Sequence, residues 1–299
     1  MTQALSIKLN PSISERFASL PPRTKAILLA FAAVTGWATW PALAVYASPI
    51  PPLLILGLGA SVGFFLTLLR SGHPRVIFNV MARSWRGVAI VTVGVVLNDF
   101  FYLTAISRIG AAEANVVHYL WPIFLCLIVA LLVRKLPSWL QVAGILVAFC
   151  GAVLAIAPAF KVDLDVKGVV FGLLGGLTFA IYSAVRSYGR ENTDIVGPAM
   201  GVIAVVSLVG HVALEEPAFP DIQQLVAIAA IGIIPLTLST MLWDQATRTG
   251  QTATISAIAY FNPIIALLLL SLLGAETVTL TTFIAAILIV LGALLSSHS

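Results

Sequence analysis

Charged side chains are scarce in this sequence, since Lys, Arg, Asp and Glu together make up 9% of its 299 residues. A soluble chain has about 25%, so there are too few charges here to cover a globule of this size with a water-facing surface. This scarcity excludes a cytosolic enzyme, a nucleic-acid-binding protein and a disordered scaffold. Cysteine is rare as well: only Cys126 and Cys150 occur, both in apolar stretches. The sequence therefore predicts neither a disulfide framework nor a zinc site.

Motifs for chemistry are also lacking. The sequence has no glycine-rich phosphate loop, no catalytic serine motif and no metal-ligand spacing, so we expect no cofactor, no metal and no enzymatic activity. The alternative from another functional class is an intramembrane enzyme that uses His118 and Asp99. Such an enzyme would need a nucleophile, a base or a metal site, and the sequence shows no such constellation.

Long apolar stretches take the place of these motifs, because 60% of the residues are hydrophobic. A bilayer core needs about 20 mostly apolar residues per helix, and stretches of this length recur between short polar breaks. The predicted fold class is all-α, a polytopic membrane protein with ten transmembrane helices. The predicted spans are residues 25–46, 53–69, 87–107, 112–133, 139–157, 168–187, 196–214, 225–246, 253–273 and 278–296.

The basic residues are unevenly distributed between the loops. With the N-terminus placed inside, thirteen of the sixteen Lys and Arg residues fall on the inner side, and only Arg108, Lys161 and Lys167 fall outside. Because basic loops favour the cytoplasmic side, both termini are predicted to be cytoplasmic. The same bias accounts for the pI near 9.3 without a nucleic-acid partner.

The two halves of the chain resemble each other. A shift of 141 residues aligns predicted spans 3 to 5 with spans 8 to 10, and a shift of 142 aligns span 1 with span 6. The predicted domains are a cytoplasmic N-terminal segment, 1–24, and two five-helix repeats, 25–158 and 159–299. The matched residues include Trp121-Pro122 over Asn262-Pro263, Tyr102 over Trp243, Trp37 over Phe179 and Gly151 over Gly292.

An odd number of spans in each repeat makes the second repeat enter the membrane from the opposite side. Inverted repeats place a substrate site near the bilayer midplane between the halves, and rocking about that site gives alternating access. The sequence therefore favours a transporter. Pro122 and Pro263, at matched places, are the predicted hinges, because proline removes a helix hydrogen bond and permits bending.

Polar residues inside the spans mark the candidate site, since such residues are costly in lipid. They cluster with aromatic residues on spans 1, 3, 4, 6, 8 and 9, which we place around a central cavity, with spans 5 and 10 peripheral. Tyr, Asn and His can hydrogen-bond the charged ends of an amino acid, while Trp and Tyr offer flat faces to its side chain. The predicted substrate-binding residues are Asn98, Tyr102, His118, Trp121, Trp37, Trp40, Tyr182 and Tyr260.

Several of these residues have a second interpretation. Trp37 and Trp40 could belong to an interfacial aromatic belt, and His118 could serve only to tie neighbouring helices together. Asp99 has three interpretations: a proton site, a site for the substrate's amino group, or a carboxylate held by a neighbour or water. Asp244 lies four residues before Arg248, a spacing typical of a surface ion pair, and is not assigned to the site.

Three short runs, GWATW at 36–40, NDFFY at 98–102 and HYLWP at 118–122, resemble the YddG aromatic amino-acid exporters. These belong to the drug/metabolite transporter superfamily, whose ten-helix form, with two EamA-type repeats, the chain resembles from about residue 25 to 296. The resemblance implies a basket of helices with spans 5 and 10 peripheral, in a bacterial inner membrane. It also implies export of aromatic and other neutral amino acids through a central cavity.

The sequence thus predicts an amino-acid exporter that works by alternating access, as a monomer in the lipid bilayer. Export of flat drugs or other small metabolites is the alternative, because aromatic faces accept such molecules too. The small four-helix relatives use a glutamate in their first helix as the proton site, and predicted span 1 has no acid, which disfavours proton-coupled drug antiport. Facilitated diffusion and proton coupling through Asp99 both stay open.

Overall fold

The computed structural model consists of helices joined by short connections. It describes residue 17 and residues 19–134, 136–156, 165–188, 194–272 and 280–296, and no β-strand occurs among them. The all-α prediction is therefore confirmed. Residues 1–16 of the predicted cytoplasmic segment and the side chain of Pro263 lie outside what is described.

Within the described ranges, ten apolar segments follow one another at the predicted places, each formed by one helix or by short helices in succession. We number them spans 1 to 10. In chain order they are Pro22–Trp37 with Trp40–Ala47 (span 1), Pro52–Ser71 (span 2), Trp85–Ile109 (span 3), Ala111–His118 with Trp121–Val133 (span 4), Trp139–Ile156 (span 5), Val166–Tyr188 (span 6), Val196–Leu214 (span 7), Ile222–Ile231 with Gly232–Ser239 and Thr240–Thr249 (span 8), Thr252–Ala259 with Phe261–Leu272 (span 9) and Leu280–Ser296 (span 10).

Spans 1, 2, 3, 6, 7 and 8 are long and apolar enough to cross a bilayer on length and composition alone. Only 44% to 50% of their most apolar stretches is buried within the protein. The outward faces carry large apolar side chains, for example Phe65, Val93 and Val205. Hydrocarbon is the solvent that matches such faces, so the chain is a multi-pass membrane protein.

Prolines accompany the interruptions in spans 1, 4, 8 and 9. Pro41 and Pro122 lie in the first turn of the helix that follows a break, where a missing N–H costs nothing and the fixed φ suits a new helix. Pro235 lies inside the π-helical segment Gly232–Ser239 of span 8, and Pro263 lies just after the break at Tyr260 in span 9. All four broken spans contribute to the central cavity described below, together with the continuous spans 3 and 6.

Spans 5 and 10 pack against each other along their lengths at one side of the bundle. The matched glycines Gly151 and Gly292 lie at this contact. A Cβ on Gly292 would come 2.7 Å from the Cα of Ala148, and one on Gly151 would come 2.9 Å from the carbonyl oxygen of Ala285. Small residues of this kind allow helices in lipid to approach closely, so the repeated glycines account for the pairing of the two spans.

Valine at position 292 is expected to destabilise the protein by about 1–3 kcal/mol, the usual cost of overpacking. The reason is that the neighbouring atoms belong to the backbone of span 5 and cannot rotate away. Thermal unfolding in detergent measures the effect. Gly210→Ala is the control, because its Cβ would meet the flexible end of Leu53 at 3.1 Å; equal losses in both variants would contradict the prediction.

Spans 2 and 7 form a second pair. The Glu215 carboxylate, just beyond span 7, accepts hydrogen bonds from the backbone N–H groups of Leu53 (2.9 Å) and Leu54 (3.3 Å) at the start of span 2. His211 bonds the same carboxylate at 2.9 Å. A carboxylate at a helix N-terminus satisfies N–H groups that have no partner within the helix, so this contact fixes the two spans together.

The loop between spans 2 and 3 contains a short amphipathic helix, Pro74–Arg83. Ile77 is its buried residue, while Arg75, Asn79 and Arg83 are exposed on the opposite side. The polar face of this helix is therefore turned away from the bundle.

Candidate functional site: the central cavity

A cavity lies among spans 1, 3, 4, 6, 8 and 9, the six spans that the sequence placed around it. Its volume is about 60 Å³, which is room for a few water molecules at about 10–15 Å³ each. An aromatic amino acid is larger, so its admission requires side chains or spans to move. The lining residues are Trp37, Trp40, Val95, Asn98, Asp99, Tyr102, Asn115, His118, Tyr119, Trp121, Phe179, Pro235, Thr240 and Asn262.

One side of the cavity is polar. We call it the polar wall, formed by Asn98, Asp99 and Tyr102 of span 3 and by Asn115 and His118 of span 4. Tyr102 donates a hydrogen bond from its hydroxyl to Oδ1 of Asn115 at 2.9 Å, and its ring contacts the His118 ring with centroids 4.6 Å apart. The wall therefore joins two spans through hydrogen bonds and a ring contact.

Asn98 is the central member of the polar wall. Its Nδ2 donates to Oδ1 of Asp99 at 2.6 Å, and its Oδ1 lies 2.8 Å from Nε2 of His118. Because an amide oxygen only accepts, Nε2 of His118 carries the hydrogen and donates. Within the described residues no other hydrogen bond reaches the Asp99 carboxylate, so Oδ2 of Asp99 can accept from a molecule in the cavity.

The opposite side is aromatic. We call it the aromatic floor, formed by Trp37, Trp121, Phe179 and Trp243. Trp121 meets Phe179 and Trp243 edge to face, with centroids 4.8 Å and 5.4 Å apart, and Trp37 meets Phe179 in the same way at 5.2 Å. Edge-to-face pairs at these distances are favourable. The floor therefore presents a preformed set of ring faces and edges to a molecule above it.

Side chains from neighbouring spans bond the backbone beside the helix breaks. Trp37 donates from Nε1 to the carbonyl of Pro235 at 3.0 Å, and Asn262 donates from Nδ2 to the carbonyl of Val34 at 3.0 Å. Each bond joins a side-chain donor of one span to a backbone carbonyl of another. Spans 1, 8 and 9 are therefore held together at the cavity by the residues that line it.

Glycines on span 6 bring the polar wall close to the rest of the bundle. A Cβ on Gly176 would lie 2.8 Å from the carbonyl oxygen of His118, and one on Gly175 would lie 3.3 Å from the carbonyl oxygen of Asn98. Spans 3, 4 and 6 thus meet backbone to backbone beside the site. The sequence signal for this approach is the glycine repeat 168, 172 and 176, spaced as in a helix-packing seam.

The predicted site residues divide into two groups. Seven of them line the cavity: Trp37, Trp40, Asn98, Asp99, Tyr102, His118 and Trp121. Tyr182 and Tyr260 do not, although both are buried. The Tyr182 ring lies behind Phe179, with centroids 5.8 Å apart, and Tyr260 packs with Ala148 of span 5 and Ile289 of span 10.

Other lining residues were not among the predicted binding residues. Asn115, Phe179, Thr240 and Asn262 belong to the polar and aromatic steps in the sequence, so that signal could have included them. Val95 and Tyr119 do not belong to these steps of polar and aromatic residues. Val95 is an ordinary apolar residue, and Tyr119 adjoins the helix break in span 4. Of the two predicted hinges, Pro122 is buried beside Trp121, and the Pro263 side chain lies outside the described residues.

Asp244 is buried, so the interpretation of its pairing as a surface contact is wrong. Arg186 of span 6 donates to it from Nε (2.6 Å) and Nη2 (3.0 Å), and Arg248 of span 8 donates from Nε at 2.9 Å. Arg186 is 3% exposed and Asp244 1%. The predicted bond to Arg248 is present, but the closer partner comes from another span.

Two more acids lie at the ends of the bundle. Asp194 stands just before span 7, where burial raises the pKa of its carboxyl and Asp244, Arg248 and Arg70 are its charged neighbours. Asp165 stands just before span 6, where the hydrogen bond from Arg108 holds its pKa below the ordinary value. The Arg108 to Asp165 pair is 2.8 Å long, with side chains 41% and 37% exposed.

Comparison with known proteins gives one family. A family model described as the EamA-like transporter family matches residues 24–157 and again residues 166–298. An aromatic amino acid exporter, YddG of Ancylobacter novellus, is 27% identical over 276 residues, which is 91% of this chain and 96% of the relative. An uncharacterized transporter of Bacillus subtilis, YvbV, is 21% identical over 91% of this chain and 90% of its own length.

A solved crystal structure has the same fold. It superposes on this chain with a TM-score of 0.78 at 26% sequence identity, covering 91% of this chain and 96% of the other. The similarity therefore extends over both repeats.

Proposed function

Because the chain belongs to the EamA-like transporter family, we propose that it exports aromatic and other neutral amino acids across a bacterial inner membrane. The chain is a transporter and not an enzyme. The observation that carries the choice of substrate is the cavity itself, with a polar wall on one side and an aromatic floor on the other. An amino acid has the same division, since its charged groups lie at one end and its side chain at the other.

The polar wall and Trp40, another lining residue of the cavity, supply the groups for the charged end. Oδ2 of Asp99 accepts a hydrogen bond from the substrate's ammonium group, which makes Asp99 the amine site. Trp40 supplies a donor for the carboxylate, since its indole N–H is buried without a partner among the described residues. Hydrogen bonds to charged groups are worth about 1.5–3 kcal/mol each, enough to orient the substrate.

The aromatic floor receives the side chain. The rings of Trp37, Trp121 and Phe179 line the cavity and offer both edges and faces to an aromatic substrate. A small neutral amino acid such as threonine leaves part of this surface uncovered. We therefore expect phenylalanine to bind more tightly than threonine. The name of the relative from Ancylobacter novellus supports the same substrate class.

The transport cycle proposed here is alternating access between two inverted repeats. Both termini lie in the cytoplasm according to the distribution of basic residues, and the protein acts as a monomer. The breaks at Pro122 and Pro263 act as hinges. The alternating access and the hinges follow from the repeat, and the orientation follows from the charge pattern; these features and the monomeric state are parts of the proposal.

Uptake of radiolabelled phenylalanine and threonine into proteoliposomes tests the proposal. We expect saturable uptake of both, with the lower half-saturation concentration for phenylalanine. Uptake that ignores an imposed pH gradient indicates a facilitator, while gradient-driven uptake makes Asp99 a proton site instead. Absence of uptake by folded protein would contradict the proposal and favour the export of flat drugs or other metabolites, which transport of such compounds then tests directly.

An analogue that lacks the amino group tests the proposed amine site at Asp99. 3-Phenylpropionate lacks the amino group, and we expect it to compete with phenylalanine about 10- to 100-fold less well than unlabelled phenylalanine does, because it gives up the bond to Asp99. In Asp99→Asn this difference should shrink, since the charge that favours the ammonium is gone. Equal competition by both compounds in the wild-type protein would show that Asp99 does not bind the amino group of the substrate.

A further inference from the structure

A buried ion pair lies at the end of the bundle where spans 6 and 8 finish. Arg186 of span 6 donates two hydrogen bonds, of 2.6 Å and 3.0 Å, to the Asp244 carboxylate of span 8. Both side chains are almost completely buried. Bonds of this fork-to-carboxylate type are strong and directional, so the pair fixes the ends of the two spans against each other.

The pair lies directly beyond the aromatic floor. Asp244 follows Trp243 of the floor, and Arg186 comes one turn after Tyr182, whose ring packs on Phe179 of the floor. The polar wall lies on the other side of the floor, toward the end where span 3 finishes at Ile109 and span 4 begins. A substrate in the cavity is therefore separated from this end of the bundle by the floor and then by the ion pair.

At the equivalent positions of the first repeat, which the structure describes, there is no ion pair. The shifts that align the halves place Ala44 at the position of Arg186 and Leu103 at that of Asp244, and both are buried apolar residues. The ion pair at the other end, Arg108 with Asp165, is about 40% exposed. Exposed pairs contribute little, whereas breaking a buried pair is costly. The two ends of the cavity are thus held by contacts of different strength.

We infer that Arg186 and Asp244 are positioning residues of the transport cycle, whose pairing holds this end of the bundle closed while the cavity faces the opposite end. The inference rests on the proposed alternating access, because the two residues must part each time the cavity opens toward them. Arg248 makes that step feasible. It lies on the same span as Asp244 and bonds the same carboxylate at 2.9 Å, so Asp244 keeps a cationic partner when Arg186 leaves.

Side-specific labelling of the cavity tests the inference without any substrate. The full-length protein carries serine at both native cysteine positions and a reporter cysteine, Val95→Cys, in the cavity lining. A membrane-impermeant thiol reagent is applied to vesicles of each orientation. A second protein with Asn79→Cys, on the exposed face of the amphipathic helix, identifies the vesicle face that adjoins the ion pair.

We expect Arg186→Gln to increase labelling of the reporter from the ion-pair face, relative to the opposite face, by about tenfold or more. Asp244→Asn should shift the ratio in the same direction. Arg186→Lys should shift it by less, because lysine keeps the positive charge but cannot make the two parallel hydrogen bonds of a guanidinium group. Arg248→Gln is the matched control, since it removes a cation from the same carboxylate but leaves the link between spans. Its ratio should not rise above that of the parent protein, because the link between the spans stays and Asp244 loses the cation that it keeps when Arg186 leaves.

An unchanged ratio in folded Arg186→Gln, or an equal shift in Arg248→Gln, would overturn the inference. Should a single variant fail to fold, Arg186→Gln combined with Asp244→Asn removes both charges of the pair between the spans together, and it should show the same shift. Labelling does not depend on the substrate, so a protein that transports no amino acid still reports on the ion pair. Amino-acid uptake with an unchanged ratio would contradict the ion-pair inference alone.

Discussion

Alanine at position 118 is expected to lower phenylalanine transport by about 10- to 100-fold while the protein still folds. His118 donates to Oδ1 of Asn98 at 2.8 Å, and Asn98 in turn holds Asp99. Loss of the imidazole leaves a buried amide oxygen without its donor, at a cost of about 1–3 kcal/mol, and frees Asn98 to turn away from Asp99. The initial rate of phenylalanine uptake, at equal amounts of reconstituted protein, measures the loss.

His73→Ala is the matched control for this prediction. His73 is exposed and lies before the amphipathic helix, away from the cavity, so its uptake rate should equal that of the parent protein. Tyr102→Phe should give a smaller loss than His118→Ala, because it keeps the ring contact and removes only the bond to Asn115. Uptake at the parent rate by folded His118→Ala would show that the polar wall does not bind substrate.

Alanine at position 232 is expected to destabilise the protein by about 1–3 kcal/mol or more. Gly232 begins the π-helical segment of span 8 and lies against the backbone of span 2. An added Cβ would come 2.8 Å from the Cα of Gly59 and closer still to the Gly59 carbonyl oxygen. Backbone atoms cannot rotate away, so spans 2 and 8 would have to separate. A lower midpoint of thermal unfolding and less folded protein in detergent are the expected results.

Gly59→Ala, on the other side of the same contact, is the control. Its Cβ would lie 3.4 Å from the nearest atoms of Gly232, close to an ordinary contact distance. Alanine also favours the helix by about 1 kcal/mol over glycine, so Gly59→Ala should be close to neutral in stability. Similar destabilisation by both alanines would mean that the contact tolerates neither side chain and that the asymmetry described here is absent.

The fold could be predicted from the sequence largely because a membrane protein faces one strong constraint. Backbone groups in hydrocarbon must bond within the helix, so apolar stretches of sufficient length mark the spans directly. The cavity-lining spans were also predictable, since polar residues such as Asn98 and His118 are too costly to face lipid. Spans 5 and 10 have no such residues and lie to one side as a pair.

The details of the site depend on the directions of individual side chains, which the spacing of residues along a helix does not specify. Tyr182 follows Phe179 by three residues, yet only Phe179 lines the cavity, and the Tyr182 ring packs against the Phe179 ring with centroids 5.8 Å apart. Tyr260 lies at a helix break, and its ring turns toward spans 5 and 10. Arg186 and Asp244 are 58 residues apart, so only the packing of span 6 on span 8 reveals their pairing.

The tight packing of the aromatic floor also gives the protein an internal optical signal. Of its six tryptophans, Trp85 and Trp139 are exposed on the outside, 62% and 79%, while the other four line the cavity or form the floor. The indole of Trp37 lies 5.2 Å from that of Trp243, which lies 5.4 Å from that of Trp121. Indoles this close exchange excitation energy, so fluorescence and near-ultraviolet circular dichroism can follow movements of the floor without an attached dye.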